Sequence, residues 1–211
     1  MTVELRDVAD GLWLWRQPHF AWGEDDDWEP EVSSFAVRSR GVTLLLDPLA
    51  PRPDGGELWR RRFEPPDAIV ILKPDHVRDV DLFARWYDAD AFGPLLFWPD
   101  DIPQRELEPV YPGLELPGGL VAQHDGRGFG ETPLYLPEQR ALVFADGLTA
   151  PGGTLRVWGT PWHEQRVLPA LRALLALPFE HVLVSHGEPV HTRADYEAAL
   201  EREPWSDREG D

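Results

Sequence analysis

The densest run of reactive side chains in the 211-residue sequence is Lys73-Pro74-Asp75-His76-Val77-Arg78-Asp79, which follows the apolar stretch Ile69-Val-Ile-Leu72. A buried strand that ends in a polar loop and leads into a helix is where α/β proteins commonly hold their chemistry. The loop offers a carboxylate pair, an imidazole, an amine and a guanidinium. Such a set can bind a metal through His and Asp, move a proton, or hold an anion. Three further positions lie at the ends of other apolar runs: Glu131 in Gly130-Glu-Thr-Pro133, Asp146 after Ala141 to Ala145, and His186 after Val182 to Ser185. The sequence has no Cys, so disulfides, thiolate nucleophiles and Cys-type zinc sites are excluded, and any metal must be held by His, Asp or Glu.

The elements that must position these residues read as strands first. Gly11 to Arg16, Ser33 to Arg38 and the continuous apolar run Val42 to Asp47 are strand-like. A short helix through Leu58 to Phe63, a strand over Ala68 to Leu72, a helix over Asp79 to Tyr87 and a strand near Phe92 follow. After a Pro-rich connection from Pro94 to Pro117, strands return at Leu120 to Gln123, Pro133 to Leu136 and Ala141 to Ala145. The chain closes with a helix over Gln165 to Ala176, a strand over His181 to Ser185 and a helix over Arg193 to Glu203. Strands lead each half and helices follow, which suits paired sheets faced by helices. Neither an internal repeat nor a linker of disordered composition divides the chain, so residues 1–211 are expected to form one domain.

Composition narrows the function classes. Hydrophobic residues are 42% and charged residues 27%, enough for a real core. The formal net charge is −18, and Lys73 is the only Lys. Nucleic acid and anionic membranes require clustered cations and are disfavoured as partners. The absence of a long apolar stretch and the charged first ten residues lead to a cytoplasmic expectation. A small-molecule ligand is the partner that fits.

Several apparent motifs fail on spacing. His163-Glu164 begins like the zinc-protease helix, but Val167 stands where its second His belongs. Gly126-Arg-Gly-Phe-Gly130 leads into a strand, so no helix N-terminus is there to hold a phosphate. The acidic stretch Gly23 to Glu31 lacks calcium-loop spacing and reads as a solvated loop that Trp22 and Trp28 fold back as a lid. His181 and His186 are an odd number apart along one strand, so at most one of them faces a given site. His19, His163, His181 and His191 read as structural or exposed, and His124 and Asp125 as a polar loop that could border the cleft.

The order of these segments resembles the metallo-β-lactamase fold family, whose loop after a buried strand reads T-H-x-H-x-D-H. Here those places are filled by Lys73 through Asp79. Val42 to Asp47 is similar to the family's early strand ending in Asp. Gly130 to Pro133 is similar to its G-H-T-P stretch, Asp146 to its metal-bridging Asp, and Val182 to Gly187 to its closing strand with the last metal-binding His. The resemblance implies an α/β, four-layer αββα sandwich.

The same resemblance implies an incomplete ligand set. His76, Asp146 and His186 match. Glu131 and Asp79 stand where the family has His and can still ligate through oxygen. Pro74 cannot ligate, and Arg78 cannot be deprotonated. The first metal would keep His76, Glu131 and Asp146, and the second Asp79, Asp146 and His186. The expectation is a cleft with no cofactor, in which the Arg78 guanidinium replaces a metal by pairing with Asp146 or Asp79. Lys73 is expected to pair with Asp75 or Asp79, and the protein to be a non-hydrolytic, ligand-binding member of the fold.

Two alternatives stand beside it. One is a hydrolase with a single divalent ion, such as zinc or manganese, in an altered His/Asp/Glu site acting on an ester, amide, lactone or phosphodiester. The other is a metal-independent hydrolase with His76 or His186 as base, oriented by Asp79 or Asp146. Asp146 and His76 are the residues expected to carry any catalysis.

Overall fold

The computed structural model describes residues 3–24, 26, 28–52, 56, 64–128 and 130–206. The first sheet runs in the order β1 (Glu4–Ala9), β2 (Leu12–Pro18), β3 (Glu31–Ser39), β4 (Val42–Leu46), β5 (Ala68–Val70), β6 (Asp90–Gly93) and β7 (Glu108–Pro109). Its first four strands pair antiparallel, and β4 to β7 pair parallel. The second sheet has the order β14 (Val190–Thr192), β13 (His181–Val184), β10 (Ala141–Phe144), β9 (Leu134–Leu136) and β8 (Val121–Ala122). A small ribbon joins β11 (Leu148–Thr149) to β12 (Arg156–Val157).

The layering follows from the two-residue period of strand side chains. Leu44 and Leu46, Ala68 and Val70, Ala141 and Val143, and Leu183 join one core between the two sheets. The intervening residues face outward. Leu45 and Ile69 pack with Val80 and Phe83 of helix α1 (Val80–Tyr87). Leu142, Phe144, Val182 and Val184 pack with Leu171 of α2 (Leu168–Ala173) and Tyr196 of α3 (Arg193–Ala199). The result is helix, sheet, sheet, helix, as the sequence led us to expect.

Every strand expected from the sequence is present. The helix expected over Leu58 to Phe63 lies outside the described residues. The expected helix over Gln165 to Ala176 is broken into a π-helical turn at His163–Val167, α2, and a 3-10 turn at Leu174–Ala176. Pro169 sits at the start of α2, where its missing N–H leaves no donor to continue the preceding turn. α3 begins on a capping box between Thr192 and Asp195 and stops at Ala199, short of the expected Glu203. Strands β1, β7, β11, β12 and β14 were not foreseen. Among the described residues, no helix is long and apolar enough to cross a membrane.

Register places the reactive residues. β4 and β5 are parallel with Leu46 opposite Val70, and β10 and β13 are parallel with Phe144 opposite Val184. Their carboxyl ends therefore release Asp47, the loop from Lys73, Asp146 and His186 around one cleft.

Candidate functional site

The cleft is a cavity of about 500 Å³ whose lining includes Lys73, Asp75, His76, Arg78, Asp146 and His186. At its floor, one carboxylate oxygen of Asp146, Oδ1, lies 3.2 Å from Nε2 of His76 and 3.3 Å from Nε2 of His186. These three side chains form a potential ligand group, with all ligand atoms within 4.8 Å of one another. Asp146 Oδ1 is buried and accepts no hydrogen bond. A tetrahedral zinc with bonds of about 2.0–2.1 Å separates its ligand atoms by about 3.3 Å, which both imidazole-to-carboxylate separations match.

Each of the three is held from behind. His76 Nδ1 lies 2.7 Å from Oδ2 of the fully buried Asp47, whose Oδ1 accepts the Leu72 N–H at 2.8 Å. This fixes which ring nitrogen faces Asp146. The His186 carbonyl accepts the Ala150 N–H, and its ring meets Trp28 edge-on with centroids 5.3 Å apart. Asp146 sits on a turn whose amides are all gripped by Glu131. The N–H groups of Ala145, Asp146 and Gly147 donate to the Glu131 carboxylate at 2.9, 3.1 and 2.7 Å.

Charge in this floor is tightly coupled. Burial works against a charged His76, but the carboxylates of Asp146 and Asp47 outweigh it and raise this imidazole to about 9. Burial would raise Asp146, yet His76, His186 and Lys73 hold it well below the usual carboxylate range. Burial lowers His186 despite the opposing pull of Asp146. Without a metal, the positive charge that offsets Asp146 comes from His76 and Lys73.

Lys73 is the fourth member. Its ammonium donates to Asp146 Oδ2 and, at 2.5 Å, to Asp75 Oδ2. Burial alone would lower the amine, but Asp146 and Asp75 raise it. The expected pairing with Asp75 is present, and the partner expected in Asp79 is replaced by Asp146.

Three expectations need correction. Arg78 pairs with neither Asp146 nor Asp79. Its Nη1 donates to the carbonyls of Ser33 and Asp47, each at 2.7 Å, and to Ser34 Oγ at 3.1 Å. Arg78 and Asp47 both adopt left-handed backbone, with φ of 44° each, and this hydrogen bond ties the two strained positions together. Asp79 stands outside the ligand group, and its Oδ2 accepts the Ala50 N–H at 2.7 Å. Glu131 spends its oxygens on the three amides and on Arg127 Nη1 at 3.0 Å, and it stands outside the group formed by His76, Asp146 and His186. Burial pushes Glu131 up to about 7, with Arg127 opposing.

The sequence reading missed other cleft residues. Asp47 was seen only as a strand end, because its partner lies 29 positions away. His19, read as structural or exposed, lines the cleft along with Trp28, Trp98, Arg127 and Trp158. In the acidic stretch, Trp22 Nε1 donates to the Trp28 carbonyl at 2.7 Å, while Asp25 and Asp27 lie outside the described residues. Neither His124 nor Asp125 lines the cavity. His181, at the start of β13 opposite Thr192, is not among the residues that line the cavity, whereas His186 is.

No family model matches the sequence, and no curated protein matches it. Solved structures do. The metallo-β-lactamase FIM-1 from Pseudomonas aeruginosa, in a mono-zinc form, superposes with a TM-score of 0.68 at 16% identity, over 95% of this chain and 94% of its own. A metallo-β-lactamase from Pontibacter korlensis gives 0.69 at 15% identity, over 96% and 100%. The protein TTHA1623, solved in a di-iron-bound form, gives 0.61 at 21% identity, over 80% and 93%. With the four layers and the cleft at the strand ends, these likenesses establish that the chain has the metallo-β-lactamase fold.

Proposed function

We propose that the protein is a hydrolase whose cleft binds one divalent metal ion through His76 Nε2, Asp146 Oδ1 and His186 Nε2, and that its substrate is an ester, amide, lactone or phosphodiester. The observation that carries this reading is that His76 Nε2 and His186 Nε2 both meet one buried oxygen of Asp146, at 3.2 and 3.3 Å, near the separation of two ligands on a tetrahedral zinc. Of the fold neighbours, one was solved with a single zinc and another with two irons.

A divalent ion supplies Lewis acidity, which polarises a carbonyl or phosphoryl oxygen and lowers the pKa of water. The residues of this chain do the rest. Asp47 keeps the His76 ring in one tautomer with Nε2 toward Asp146. Glu131 fixes the turn that presents Asp146. Trp28, Trp98 and Trp158 wall the cavity with apolar surface, which strengthens electrostatic interactions within it.

A second reading, a metal-free ligand-binding cleft, is favoured by the Lys73 ammonium on Asp146, which partly neutralises that carboxylate without any metal. Loading the protein with zinc or manganese and assaying chromogenic esters, lactones and phosphodiesters separates the two. Turnover that depends on the metal and disappears in Asp146→Asn supports the hydrolase. A protein that takes up neither ion and turns over none of these substrates supports the metal-free cleft.

A further inference from the structure

The two oxygens of the Asp146 carboxylate face different kinds of cation site. Oδ1 meets the two imidazoles, whereas Oδ2 accepts a hydrogen bond from the Lys73 ammonium. We propose that Lys73 is a built-in cation that closes the Oδ2 side of this cleft to metal, so that the site holds one ion and no second. The proposal rests on reading His76, Asp146 and His186 as the metal group.

Three observations support it. The first is placement: the ammonium bridges Asp146 and Asp75, the carboxylates a second ion on that side would need. The side chains of Lys73 and Asp146 are only 13% and 11% exposed, so solvent screens this pair weakly. The second is the lack of other ligands. Asp79 is committed to the Ala50 amide, Glu131 to the turn and Arg127, and Arg78 adds another fixed positive charge to the lining. Among the described residues, no other group of three or more His, Asp or Glu comes together at ligand spacing.

The third is the residue type. Every other cation in the sequence besides His is Arg, and Lys73 alone is Lys. A compact ammonium on a flexible stem can take the place of an ion between two carboxylates. Its positive charge also repels any ion seated nearby, so its removal leaves a more negative floor.

The test is zinc counted by native mass spectrometry, with affinity measured by competition against a chromophoric chelator. It compares the wild type, Lys73→Met and Lys73→Arg, each first checked for a cooperative thermal transition. The wild type is expected to bind one zinc per chain. Lys73→Met should bind two, while Lys73→Arg, which keeps the positive charge, should resemble the wild type. A folded Lys73→Met that still binds only one zinc overturns the proposal. So does a second zinc on the wild type, a result that needs no variant and leaves the metal-site reading standing. If the wild type binds no zinc and Lys73→Met binds it, the block by Lys73 stands and the reading of the native protein as a metalloenzyme fails. If neither binds zinc, both fail.

Discussion

The imidazole of His76 rests on Asp47: its Nδ1 lies 2.7 Å from one carboxylate oxygen, and the other oxygen holds the Leu72 amide at 2.8 Å. One side chain thus links the end of β4, the end of β5 and the ring that faces Asp146. Asp47→Asn removes the charge while keeping the shape. Zinc affinity is expected to fall about 10- to 100-fold, as for other ligand-orienting partners. Chelator competition on the folded variant checks this, and unchanged affinity would deny Asp47 a positioning role.

Glu131 behaves as a structural anion. Replacing it with Ala strands three amides and leaves Arg127 without this partner in a buried setting. A loss of about 3–5 kcal/mol is expected, the usual cost of breaking a buried pair from one side. Urea denaturation measures it. A variant within about 0.5 kcal/mol of the wild type, the range of ordinary surface substitutions, would contradict the role.

Arg78 is expected to matter for stability and not for metal count. Arg78→Ala leaves the Ser33 and Asp47 carbonyls without their guanidinium donor and should cost about 1–3 kcal/mol. A folded Arg78→Ala should still take up one zinc by native mass spectrometry. Loss of zinc from the folded variant would show that Arg78 shapes the ligand group directly.

His19 gives the protein an acid-sensitive edge. Burial, with the nearby positive charge of Arg78 and the rings of His76 and His186, lowers its imidazole to about 4. The folded value lies below the unfolded one, near 6.5, so the native state binds fewer protons than the unfolded chain there. The stability from a neutral His19 is fully present above about 6.5 and is lost as pH falls toward 4. His19→Gln should flatten the fall in melting temperature across that window. An unaltered profile would remove His19 as its source.

The fold was legible because its signals are local. The apolar runs Val42 to Leu46 and Ala141 to Phe144, and the polar loop after Leu72, pointed to buried strands and to the cleft's address. The broken α2 region was less readable, since the effect of Pro169 depends on where the preceding turn begins. The site was legible at His76, Asp146 and His186, each at the end of an apolar strand. It was not legible at Lys73, Arg78, Asp79 and Glu131, where residue type allows several partners and only tertiary placement chooses. Asp79 and Glu131 are oxygen donors by type, but amides of Ala50 and of the Ala145–Gly147 turn occupy them. The reverse held for Asp47 and His19, whose roles arise from chain neighbours distant in sequence.

The most direct test of the central claim is the number of metal ions on the zinc-loaded wild-type protein by native mass spectrometry, repeated on Asp146→Asn. The account predicts one ion per chain, lost or weakened at least tenfold in a folded Asp146→Asn. No ion, two ions, or one ion held as tightly by the variant would contradict it.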